Sequence, residues 1–112
     1  MGAVQEPTFL ILTALAAEPL HGYGIIQSVT ALSDGEVKLR PGTLYGALDR
    51  LAEQGLVAVD REEAVSGRLR RYYRLSDSGA SALAERAAVM PRRAASAARQ
   101  LSLRPGLAGG TA

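Results

Sequence analysis

The sequence contains no cysteine, no tryptophan and a single histidine, His21. Without thiols there is neither a disulfide framework nor a thiolate metal site. One imidazole cannot build a histidine-rich metal centre either. No stretch reaches the roughly 18 consecutive apolar residues that a membrane span requires. The opening, Met1 to Pro7, carries no basic residue and so lacks the charged start of a signal peptide; the cytoplasm is the expected compartment. Nor is there a nucleophile–base pair, a phosphate-binding loop or a metal-ligand spacing. The glycines around Tyr23 do not follow a strand, so they are no dinucleotide fingerprint. Neither an enzymatic activity nor a cofactor is expected.

What is present is one domain's worth of chain: 112 residues, 47% of them apolar. A core of that size is modest, and a partner subunit would extend it. Charge is distributed unevenly. Residues 1–60 hold three basic side chains, Lys38, Arg40 and Arg50, against seven acidic ones. Residues 61–112 hold ten arginines against Glu62, Glu63, Asp77 and Glu85. An arginine-rich later half suits a polyanionic partner, although surface arginine also serves simply to solvate.

The periodicity predicts helices separated by a short β segment. A first helix begins near Pro7, where a missing N–H is harmless, and stops before Pro19. Phe9, Leu12, Leu15 and Ala16 form its stripe, widened by Leu10 and Ile11. A second spans about His21 to Leu32, with Ile25, Ile26, Val29 and Leu32 inward, and ends at the turn signal Ser33-Asp34-Gly35. Its glycines, Gly22 and Gly24, would allow another backbone to approach. A third runs from Pro41 to Gln54, closed by Gly55, with Leu44, Ala47, Leu48 and Leu51 on one face. The period then changes. Leu56 to Val59 and Arg71 to Leu75 have strand character, joined by a long polar tip over residues 60–68. Ser76 reads as the N-cap of a last helix. That helix is expected to kink or split at Pro91 and to reach about residue 102, before a disordered tail over 103–112.

The expected fold is therefore mainly α with a small β-hairpin (α+β): a winged helix-turn-helix over 1–75 and a dimerisation helix over 76–102. Three stretches resemble one family. Pro41-Gly42-Thr43-Leu44-Tyr45, with Leu48, Leu51 and Gly55-Leu56-Val57, resembles the recognition helix of PadR-like transcriptional regulators. Leu20-His21-Gly22-Tyr23-Gly24-Ile25 is similar to the opening of their second helix. Arg71-Tyr72-Tyr73-Arg74-Leu75-Ser76, with Gly79 and Leu83, is similar to the end of their wing. Together these cover roughly residues 7–90. The resemblance implies a homodimer, of a short subfamily with one C-terminal helix, binding pseudo-palindromic double-stranded DNA, usually as a repressor. By position it implies groove contacts from Thr43, Tyr45 and Arg50, a phosphate contact from Tyr23, and flanking contacts from the wing. The chain departs from the pattern at Arg40, where a small hydroxyl cap is commoner, at Gly46, where proline is often found, and in lacking tryptophan.

The resemblance, together with the arginines of the hairpin, implies as candidate DNA-binding group Tyr23, Arg40, Thr43, Tyr45, Arg50, Arg68, Arg70, Arg71 and Arg74. Tyr45 sits off the leucine stripe, so it either contacts DNA or is half-packed. Of Tyr72 and Tyr73 one must pack and the other face out, depending on register. His21 reads as a cap or packing residue rather than a ligand. Asp49 and Glu53 count against uniform phosphate binding by the third helix; they would orient Arg50 or accept from cytosine amino groups. A small hydrophobic or aromatic effector is expected between the first and last helices, against Phe9, Leu10, Leu83 and Met90. The competing reading is a winged-helix protein-interaction module with no DNA role.

Overall fold

The computed structural model describes residues 2–106, with side chains from Glu6 onward. In chain order the elements are α1 (Gly2–Ala14), β1 (Leu20–His21), α2 (Gly22–Leu32), α3 (Pro41–Glu53), β2 (Val57–Val65), β3 (Arg68–Leu75) and α4 (Asp77–Leu103). The three strands form one antiparallel sheet in the order β1-β3-β2.

The core lies where α1, α2 and α3 meet the base of the sheet. Ile11, Ile25, Val29, Leu44 and Leu48 are fully enclosed, and Leu51, Val57 and Tyr73 complete the cluster. All four leucine-stripe positions of α3 are buried, as their i, i+3, i+4, i+7 spacing requires. Two details of the helices differ from the sequence expectation. Helix α1 extends before Pro7 and ends at Ala14, well short of Pro19. Leu32 is exposed, because α2 turns its last residue past the edge of the core.

The sheet holds more than a hairpin. Leu20 and His21 pair with Tyr73 and Tyr72, adding a third strand that two residues cannot announce by alternation. The hairpin is also longer than expected: the paired strands run to Val65 and from Arg68, leaving Ser66-Gly67 as a tight two-residue turn. Both turn residues have positive φ, 52° and 78°, as a type I′ turn demands. Charged residues on both faces hid these strands, because alternation shows only where one face is buried. The register skips Asp60 between Val59↔Tyr73 and Arg61↔Tyr72, a bulge that bends the outer hairpin. It also settles the tyrosine pair: Tyr73 enters the core and Tyr72 lies on the opposite face.

Helix α4 is capped as expected. Ser76 Oγ accepts from the Gly79 N–H at 2.9 Å and donates to the Gly55 carbonyl at 2.6 Å, so one hydroxyl ties the end of α3 to the start of α4. Gly79 is buried directly against the Leu56 carbonyl, in a space where a Cβ would collide with backbone. The helix then runs through Pro91 as one piece to Leu103 and is not split. The proline removes the N–H that would reach Ala87 and crowds that carbonyl with its ring, a cost that the alanine-rich sequence around it offsets. Leu103 thus belongs to the helix; of the tail expected over 103–112, residues 107–112 lie outside the described residues. A 27-residue helix is roughly 40 Å long, which accounts for a molecule 63 Å in its longest dimension.

Candidate nucleic-acid interface

The polar side of α3 is organised by helical geometry. At roughly 100° per residue, the direction opposite the leucine stripe is held by Gly42, Gly46, Asp49 and Glu53. The N-terminal half of that ridge therefore has no side chains, only two glycines four residues apart. Nothing lies within 4 Å of where a Gly42 Cβ would be. Such a bare stretch lets a bulky partner approach the backbone. Thr43 and Tyr45 stand on either side of it. The acids occupy the C-terminal half, so a phosphate-rich partner is favoured only at the helix start, where the macrodipole is also positive.

Tyr45 is 45% exposed, yet its hydroxyl end occupies the space next to Gly22 that a side chain there would take. Tyr45 is therefore half-packed: the ring leans on the first turn of α2 and leaves an edge open. Gly22 is accordingly a seat for an aromatic ring, rather than for a second backbone. Tyr23 beside it is 65% exposed. Arg40 is the N-cap residue of α3 but makes no side-chain capping bond, leaving its guanidinium outward.

Arg50 is exposed and stands beside the bare ridge, its guanidinium end 3.7 Å from where a Gly46 Cβ would lie. It leaves α3 on the flank opposite Tyr45 and also lines a cavity of about 340 Å³ between α1, α3 and α4. Phe9 and Leu83 line this cavity as expected from sequence. Leu10 and Met90 do not. Leu10 points into the core from the other side of α1, and Met90 lies two turns further along α4 and is exposed. Leu12, Leu51, Gln54 and Arg86 were missed as lining residues; only the packing of three helices brings them together.

The wing carries its own counter-charges. Arg71 Nε meets Glu62 at 2.9 Å, Arg74 lies 3.8 Å from Asp60, and Arg61 is held by Asp60 and Glu63 at 3.0 and 2.8 Å. Arg68 and Arg70 make no ion pair among the described residues. On the outer sheet face Arg61 covers the Tyr72 ring at 3.9 Å, and the His21 ring meets its edge at 5.3 Å. Hydrogen bonding from Arg61 holds the Glu63 carboxyl below its ordinary pKa.

His21 is the N-cap of α2: its Nδ1 accepts from the Gly24 N–H at 3.2 Å, which requires that nitrogen to be unprotonated. Burial, and then the positive charge of Arg70, lower the ring's pKa below 6.5. The folded state thus prefers neutral His21. Its contribution to stability is complete above that value and is lost as pH falls, because the unfolded chain takes the proton first. Replacing His21 with asparagine keeps a capping oxygen without a titrating group. His21→Asn is expected to flatten the urea-derived stability curve between about pH 5.5 and 7.5; an unaltered curve would assign the slope to other groups.

Comparison with known proteins follows the same outline. The family model described as "Transcriptional regulator PadR-like family" matches residues 11–85. This chain belongs to the PadR-like family. Transcriptional regulator Rv3488 of Mycobacterium tuberculosis is 40% identical to it over 75 residues, 67% of this chain and 66% of that protein. The chain spans 28% to 66% of the length of the first curated relatives it matches. A PadR family transcriptional regulator from Eggerthella lenta superposes with a TM-score of 0.72 at 26% identity, covering 93% of this chain and 91% of that one. Bacillus subtilis PadR, solved in complex with operator DNA, superposes with a TM-score of 0.62 at 23% identity, over 73% of this chain and 46% of that one; at that identity the likeness is one of fold. Membership of the PadR-like family makes the chain a transcriptional regulator and not an enzyme. Among the described residues no helix is long and apolar enough to cross a membrane.

Proposed function

We propose that this PadR-like regulator binds a pseudo-palindromic operator as a homodimer, represses transcription there, and is released by a small apolar effector. The observation that carries the reading is the start of α3: a side-chain-free ridge at Gly42 and Gly46, flanked by Thr43 and Tyr45 and capped by the outward Arg40. A helix presenting its N-terminal turns in this way suits the major groove, where base edges carry the sequence code. Tyr23, Arg40 and the wing arginines would hold phosphates and set register, while Thr43 and Tyr45 would read bases. The operator complex of a protein with the same fold supports this arrangement.

Dimerisation is supported by α4. Beyond Val89 every described position is exposed, including Met90, Leu101 and Leu103. The alanine-rich second half of α4, exposed along its whole described length, is what a second subunit would cover. Two recognition helices roughly 34 Å apart would then meet successive major grooves.

The test is binding of the full chain to the duplex from its own upstream region and to a scrambled duplex, each at two salt concentrations. Tight, salt-sensitive binding that prefers the upstream duplex is expected. Tyr45→Ala is expected to weaken the upstream duplex by about 1–3 kcal/mol and the scrambled one far less. A flat salt response would instead indicate a winged-helix module for protein partners.

A further inference from the structure

Asp49 stands on the outward ridge of α3, between the bare stretch at Gly46 and the carboxylate of Glu53. It is exposed, and among the described residues it makes no hydrogen bond or ion pair. Arg50 is its neighbour in sequence, but side chains of adjacent residues leave a helix about 100° apart. The Arg50 guanidinium turns toward Gly46 instead, 3.7 Å from where a Cβ there would lie. Asp49 therefore does not orient Arg50. Nor does it serve the helix: Glu53, one turn on, carries the same charge, and like charges so spaced destabilise a helix. Nothing within the fold accounts for a carboxylate at this place.

We infer that Asp49 reads a base: its carboxylate accepts from the exocyclic amino group of a cytosine, and so requires cytosine at one position of each operator half-site. The inference rests on the proposed seating of α3 in the major groove. There the bare ridge at Gly42 and Gly46 lets base edges approach the helix backbone. A short carboxylate less than a turn further along the same ridge points at the floor of the groove, away from its phosphate walls. An ionised carboxylate can only accept. Guanine offers it N7 and O6, and thymine offers O4 and a methyl group; none of these donates. Adenine N6 donates, but it lies between two acceptors, its own N7 and the O4 of the paired thymine. Cytosine N4 has an acceptor on one side only, the O6 of its guanine, so a carboxylate can reach it from the other side. Any other base leaves a charge buried without a donor, which costs more than a missing contact. Asp49 thus lowers affinity for DNA in general, by repelling phosphate, and recovers it only where cytosine is present.

The test is selection of duplexes from a random library by the full chain and by Asp49→Ala and Asp49→Asn, followed by titrations on the wild-type site. Because Asp49 is exposed and without a partner, both variants should keep the wild-type melting curve. The wild type is expected to enrich a site with a cytosine in each half that Asp49→Ala no longer selects. Asp49→Asn, whose amide both donates and accepts, is expected to select adenine at that position. Replacing that C·G pair by T·A in both halves should weaken the wild type at least tenfold and Asp49→Ala less than twofold. Asp49→Ala should bind a scrambled duplex at least as tightly as the wild type does. If Asp49→Ala selects every cytosine that the wild type selects, the base assignment is overturned. An equal gain by Asp49→Ala on selected and scrambled duplexes also overturns it, being the mark of a carboxylate that acts through charge alone. Those outcomes leave operator binding standing. A wild type that enriches no sequence at all would overturn the operator reading itself.

Discussion

Gly79→Ala is expected to lower the melting temperature by several degrees, up to about 10 °C. The added methyl would meet the Leu56 carbonyl and the Leu75 side chain. A carbonyl inside a packed turn cannot rotate away, so α4 must lift from the end of α3. That also strains the Ser76 bond to Gly55. Overpacking of this kind costs about 1–3 kcal/mol and occasionally more, only partly offset by the roughly 1 kcal/mol that alanine gains over glycine in a helix. The same substitution at Gly46 has the opposite expectation. There the nearest atom is the movable end of Arg50, at 3.7 Å from the new Cβ. Gly46→Ala should therefore raise stability by about 0.5–1 kcal/mol, yet weaken DNA binding by putting a methyl on the bare ridge. Differential scanning calorimetry and a binding titration on both variants decide the matter. A Gly79→Ala protein that melts like wild type would show that the α3–α4 junction is looser than described.

The double variant Arg68→Ala/Arg70→Ala is expected to lose roughly thousandfold in affinity for duplex DNA when two wings bind, at about 1 kcal/mol for each of the four lost phosphate contacts. It should flatten the log–log salt dependence by about two units per bound subunit. Arg71→Ala and Arg74→Ala should do much less, because Glu62 and Asp60 already neutralise those side chains. The wing's acids then become informative. Glu62→Gln is expected to release Arg71 and steepen the salt dependence by up to about one unit. Such exposed pairs stabilise the fold by at most about 1 kcal/mol, so these variants should fold normally. If all four arginines mattered equally, pairing within the wing would not be setting which of them reach DNA.

Much of this architecture was legible in the residues. Pro41, the leucine stripe and Gly55 bracket α3 because a helix start tolerates proline and a helix end favours glycine. Ser76 announces α4 by its hydroxyl, and His21 the start of α2 by its position. The wing was harder. Its strands are charged on both faces, so no alternation marked residues 60–68 as paired; the turn at Ser66-Gly67 needed the register to make sense of it. Strand β1 is two residues long, too short for any period. Pro91 does not split α4, because the alanine-rich sequence around it holds the helix despite the lost hydrogen bond and the crowded Ala87 carbonyl.

The linear order of residues determined the class of fold, the leucine-striped helix α3 and the arginines of the wing, since these depend on local propensity and short-range periodicity. Tertiary packing alone decided three things. Tyr45 can be both seat-filler and outward edge only because Gly22 arrives beside it from another helix. Arg50 borders both the Gly46 ridge and the cavity on the other flank, because α1 and α4 close around that side of α3. Arg71 and Arg74 are neutralised while Arg68 and Arg70 are not, because cross-strand register chooses which acid meets which base. Each is a contact between segments distant along the chain, and only the folded chain brings such segments together.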